Sequence, residues 1–155
     1  MLNIAPAAAP RDIVDAGALF REYSELVAEA LCFQNFDEEL AALPGEYAPP
    51  GGVLLIARDG EAAAGCVALR RIDAGTGEMK RMYVRERFRG SGLGRRLALE
   101  VIEAARRLGY ARVVLDTLPK LASAIALYRD LGFQEVGPYL ASPTPCAICF
   151  ELRIS

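Results

Sequence analysis

Between residues 53 and 84, three apolar runs are separated by two turn signals, and this spacing constrains the fold more than any other feature of the chain. Residues 53–57, Val-Leu-Leu-Ile-Ala, read as a compact strand. Asp59-Gly60 is a tight hairpin signal, and residues 65–72 continue as a second strand. Gly75-Thr76-Gly77 turns the chain again into a third antiparallel strand over residues 78–84. Such a meander needs a cover over its apolar face.

The cover begins at Gly90, where Leu93, Leu97, Val101, Ala104 and Leu108 recur at helical spacing up to Gly109. Arg106 and Arg107 fall in the last turn, where cations favour the helix dipole. Residues 112–116 predict a strand, laid parallel to the third one by the intervening helix. Pro119 is expected to open another helix, with Ile125, Tyr128 and Leu131 on one side and Gly132 closing it. Residues 133–136 and 146–154 make closing strands around a proline-rich loop. Upstream, Ile13, Ala16, Phe20, Tyr23, Val27 and Ala30 trace a first helix with Asp12 and Asp15 in its opening turn. A short second helix covers residues 37–43, before Pro44-Gly45. The expected fold class is α/β: a mixed, mostly antiparallel sheet of about six or seven strands flanked by about four helices. One domain is expected over residues 1–155.

Composition excludes several function classes. A net charge of −2 and a pI near 5.3 give no broad cationic field, so nucleic acid is not an expected partner. Local charge is uneven, since Lys80, Arg81, Arg85, Arg87, Arg89, Arg95 and Arg96 crowd one region and suit a small anionic ligand. No membrane span or signal peptide is read, which leaves the cytoplasm as the default expectation. The chain has no histidine, which removes Ser-His-Asp hydrolysis, Cys-His proteolysis and the H-E-x-x-H metalloproteases. Cys146 and Cys149 spell C-x-x-C. With no second pair, and with positions three apart pointing to opposite faces of a strand, no metal is expected.

The run Arg89-Gly90-Ser91-Gly92-Leu93-Gly94 lets backbone N–H groups approach a bulky anion at the positive end of the following helix, with Arg89 and Arg95 as charged donors. A P-loop would need a lysine that is absent. A dinucleotide fingerprint matches at Gly90 and Gly92 but meets Arg95 at its third glycine, and a meander precedes it in place of a doubly wound sheet.

The remaining pattern, R-x-x-G-x-G after a strand and a basic linker, resembles that of the GNAT superfamily of N-acetyltransferases. Ala124-Ile125-Ala126-Leu127-Tyr128-Arg129-Asp130-Leu131-Gly132-Phe133 is similar to that superfamily's A-I-x-L-Y-x-x-x-G-F block. One departure is Leu121, seven residues before the tyrosine, where members often carry asparagine to contact the pantetheine arm.

The resemblance implies transfer of an acetyl group from acetyl-CoA, as co-substrate, to a primary amine. The implied donor site comprises Met82, Tyr83, Val84, Arg89, Gly90, Ser91, Gly92, Leu93, Gly94, Arg95 and Ser123. Glu78 is the expected base, which strand alternation would put on the face of Met82 and Val84. Tyr128 is the expected acid for the departing thiolate. Phe33, Phe36, Tyr47, Arg81 and Tyr139 are candidates for an acceptor pocket taking a small amine, an amino acid or a peptide; Lys80 and Arg81 could hold an acceptor carboxylate. A homodimer is one option for the assembly. A CoA-binding regulatory module without turnover and a protein adaptor on the same fold are the competing classes.

Overall fold

The structure, a computed structural model, describes residues 1–27, 36–140 and 147–155. The meander comprises β2 (Val53–Asp59), β3 (Ala62–Asp73) and β4 (Thr76–Val84), joined by the expected turns. The edge strand β1 (Leu2–Pro6) pairs antiparallel with β2. Sequence reading left this segment as an apolar start, because five residues ending in proline carry too little alternation to signal a strand. Beyond β4, α3 (Leu93–Arg107) crosses to β5 (Arg112–Thr117), which lies parallel to β4; α4 (Ala122–Asp130) leads to β6 (Gln134–Val136) and β7 (Ile148–Arg153). The seven strands form one mixed sheet in the order β1-β2-β3-β4-β5-β7-β6. With α1 (Pro10–Val27) and α2 (Phe36–Ala42), four α-helices are present among the described residues.

Each face of the sheet has its own core. On one, Leu97, Val101 and Ala105 of α3 and Tyr128 of α4 pack on Leu55, Val67, Leu69, Met79, Val113, Leu115 and Phe150. On the other, Ala16, Leu19 and Phe20 of α1 pack with Tyr47 on Leu54, Ile56, Cys66 and Ala68. Burial of these apolar side chains holds both layers to the sheet.

Two helix starts differ from expectation. Gly90 and Gly92 have φ of +80° and +83°, which a right-handed helix cannot contain, so α3 begins at Leu93 with Gly92 as its N-cap. Pro119 lies in a turn in which the Leu121 N–H donates to the Leu118 carbonyl, and Leu121, at ψ 59°, is the non-helical N-cap of α4.

The third difference decides the site. Opposite β3, Gly65 pairs with Val84 and Cys66 with Tyr83, but Ala68 pairs with Lys80, so β4 carries an extra residue. Arg81 takes up the excess in the left-handed region, at φ 58°. Side-chain parity therefore inverts across this bulge. Met82 and Val84 join the α3 face with Met79, while Glu78, Lys80 and Tyr83 belong to the opposite face. The expectation that Glu78 shares a face with Met82 and Val84 is thus corrected: simple alternation has no term for an inserted residue.

Candidate active site

The parallel ladder between β4 and β5 has three rungs and stops at Glu78 opposite Val114, although β4 runs on to Val84 and β5 to Thr117. The strands part there. A cleft of about 590 Å³ fills the opening and continues past the entrance of α3 to the start of α4. Met82, Tyr83, Val84, Arg89, Gly90, Gly92, Leu93, Gly94, Arg95 and Ser123, all expected in the donor site, line it, as do Arg81 and Tyr128. Ser91 is outside the lining, its hydroxyl donating to the Phe88 carbonyl at 2.5 Å.

One end of the cleft is built for an anion. The N–H groups of Gly90, Ser91 and Gly92 meet no protein carbonyl among the described residues, and the first N–H groups of α3 follow directly. A Cβ placed on Gly90 or Gly92 would meet nothing within 4 Å, so glycine is there for its backbone conformation. Arg89 is fixed at this end by donating to the Val84 carbonyl at 3.0 Å, with its guanidinium 5.8 Å from the centre of the Tyr83 ring. Arg95 reaches Asp130 at 2.5 Å in a solvent-exposed pair that an incoming anion can displace. Leu121 lines the cleft where an asparagine amide was the alternative, giving an apolar wall.

Tyr128 stands beside the opening. Its ring packs 5.8 Å from Phe133 and 6.3 Å from Phe150, and its hydroxyl has no hydrogen-bond partner among the described residues. Burial pushes its pKa above the ordinary phenol value, so the hydroxyl keeps its proton at neutral pH.

Glu78 is fully buried and lies outside the cleft lining. Its Oε1 accepts from Arg70 Nε at 2.6 Å, and Oε2 accepts from the Tyr139 hydroxyl at 2.5 Å. Arg70 also holds Glu46 at 2.8 Å. Burial first, then the Glu78 charge, raises the Tyr139 pKa.

The expected acceptor residues divide. Arg81 does not offer a free guanidinium: Nε and Nη2 each donate to Glu39 at 2.9 Å, and the group lies 5.6 Å from the centre of the Phe36 ring. Phe36 and Arg81 thus fasten α2 to the bulge. Tyr47 is a core residue, 3% exposed and packed edge-on to Phe20 with ring centres 6.0 Å apart. Tyr139 is engaged with Glu78. Phe33 and Cys146 lie outside the described residues. Cys66 and Cys149 are buried free thiols.

Sequence reasoning missed Asp116 as a lining residue. The available signal was a carboxylate directly after the apolar run Val113-Val114-Leu115, where a buried strand meets an open end.

Comparison with known proteins agrees with this geometry. The model of the acetyltransferase (GNAT) family matches residues 18–133. An uncharacterized N-acetyltransferase of Schizosaccharomyces pombe is 40% identical over 156 residues, covering 99% of this chain and 96% of that protein. An acetyltransferase of Streptococcus agalactiae shares the fold with a TM-score of 0.84 at 22% identity, over 99% of this chain and 98% of that one. YncA of Salmonella typhimurium, solved with its cofactor acetyl-CoA, does so with a TM-score of 0.75 at 22% identity, over 99% and 94%. The parted strands, the glycine-built helix entrance and these matches together make the chain a member of the GNAT family and an acyl-CoA-dependent N-acetyltransferase.

Proposed function

We propose that this N-acetyltransferase, a single domain over residues 1–155, moves an acetyl group directly from acetyl-CoA to a primary amine, with Glu78 as base and Tyr128 as acid. The observation that carries this reading is the parting of β4 from β5 beyond Glu78 and Val114, with the anion-binding entrance of α3 at one end and Tyr128 beside the gap. The gap suits a thin pantetheine arm. Unpaired backbone of Met82 on the β5 side can bond that arm as another strand would. The N–H groups around Gly90 and Gly92, with Arg89 and Arg95, would hold the pyrophosphate.

Glu78 and Tyr128 belong to opposite faces of the sheet. That suits direct transfer: the amine enters from one face and the thiolate leaves toward the other. The nitrogen forms its bond to the carbonyl carbon as the carbon–sulfur bond breaks. Tyr139 bridges the distance to the buried base: a proton from the ammonium passes to the Tyr139 oxygen as the Tyr139 proton passes to Glu78. Tyr128 donates its proton to the departing sulfur.

A thiol-release assay with acetyl-CoA against primary amines tests the assignment. Glu78→Gln and Tyr128→Phe should each lower kcat by roughly 10²- to 10⁴-fold while acetyl-CoA affinity holds. Unchanged turnover in both would remove these residues from the mechanism.

A further inference from the structure

Two charged residues that line the cleft, Lys80 and Asp116, form no ion pair among the described residues. On the Glu78 face the neighbouring cations are occupied: Arg70 by Glu78 and Glu46, Arg81 by Glu39, Arg85 by Glu22. Lys80 and Asp116 differ, since among the described residues neither forms an ion pair, and the Asp116 carboxylate bonds only its own backbone N–H. Both line the cleft. Each lies two positions beyond the last rung of the β4–β5 ladder, Glu78 opposite Val114, so they flank the opening at the same level. Their neighbours Met79 and Leu115 point into the α3-side core, which places Lys80 and Asp116 on the opposite face, with Glu78.

A half-buried carboxylate without a cationic partner is costly, and a cation arriving beside it recovers that cost. Burial raises the Asp116 pKa first, while Lys80 is close enough to pull it down but does not bond it. The space between them therefore suits a ligand carrying both charges a few ångströms apart. A plain monoamine would leave Lys80 unanswered, and a polyamine would be repelled by it.

We propose that Asp116 and Lys80 bracket the acceptor as a zwitterion, Asp116 holding its ammonium and Lys80 its carboxylate, so that the acceptor is a free α-amino acid. This inference rests on the proposed placement of the acyl donor in the cleft. The two residues bind and orient; the proton still leaves toward Glu78.

The test is initial-rate acetylation of the proteinogenic amino acids at fixed acetyl-CoA, with each substrate also supplied as its amide and as the amine lacking the carboxylate. The wild-type enzyme should prefer the free acid by roughly tenfold or more in kcat/KM. Lys80→Met should abolish that preference. Asp116→Asn should raise KM for the amino acid roughly tenfold to a hundredfold, with the acetyl-CoA-induced rise in Tm unchanged. Equal use of acid and amide by the wild type, a preference that survives Lys80→Met, or an unchanged KM in a folded Asp116→Asn would each overturn the proposal. So would acetylation of other amines but of no amino acid, with the Tm rise intact. Loss of both the Tm rise and thiol release across all amines would overturn the donor assignment as well.

Discussion

At Gly92 the backbone sits at φ +83° in open space, so a side chain there meets no neighbour but forces an unfavourable conformation. For an L-residue the left-handed region costs about 1–2 kcal/mol, more with a β-branch. Gly92→Val should therefore shift the entrance of α3 and weaken acetyl-CoA binding by at least about tenfold in isothermal titration. Gly94 is different: it is helical, and an added Cβ would sit at ordinary contact distances of 3.8 Å from Leu127 and 3.9 Å from Val84. Gly94→Ala should keep near wild-type affinity, and equal losses in the two variants would contradict a role for backbone conformation. These glycines were legible in the sequence because their chemistry is local. Arg81 was not, since no glycine or asparagine marks its left-handed turn. Surrounding contacts with Glu39 and Phe36 hold it there, and none of them is near in sequence.

At the scale of elements, α2 depends on that same arginine. None of the residues Phe36–Ala42 is fully buried, Phe36 and Leu40 pack against the edge of the α1-side core, and the paired Glu39–Arg81 bonds are a polar tie of the helix to the sheet. Glu39→Gln should cost about 1.5–3 kcal/mol locally, raising amide hydrogen exchange across α2 more than across β2 or β3. Uniform exchange changes, or none in α2, would show that its packing alone suffices. The same distinction between local and distant causes explains what the sequence disclosed of the fold. The meander was readable because each strand is bounded by its own turn residues, and α3 because its apolar spacing and Gly109 stop are internal to it. The bulge in β4, the parting of β4 from β5 and the paired charges of Lys80 and Asp116 arise from register between strands, which no single segment records.

Across the whole molecule, three carboxylates dock α1 on the sheet. Asp12, near its start, accepts from the N–H groups of Ala8 and Ala9 at 3.1 Å each and from Arg58 at 2.7 Å, and Asp15 meets the same guanidinium at 2.8 Å. Glu22, further along, is held by Arg85 at 2.6 Å and by the Tyr83 hydroxyl at 3.1 Å. The Arg58 hydrogen bond, followed by those from Ala9 and Ala8, lowers the Asp12 pKa from 3.8 to about 2, and Arg85 lowers that of Glu22. Because these pKa values are depressed on folding, the unfolded chain binds more protons in the acid range. Their stabilisation is complete above the ordinary carboxylate pKa of about 4 and is lost as pH falls through the folded values. With no histidine in the chain, no imidazole titration adds a step between pH 5 and 8. Tm should therefore be level through that range and drop below about pH 4. Asp12→Asn should lower stability by about 1 kcal/mol at neutral pH through loss of the charged cap and pair, and its acid limb should be shallower. The wild-type and variant curves should converge as pH approaches 2, where Asp12 gains its own proton. Curves that stay parallel from pH 7 down to pH 2 would show that the tie between Asp12 and Arg58 does not set the acid stability of the fold.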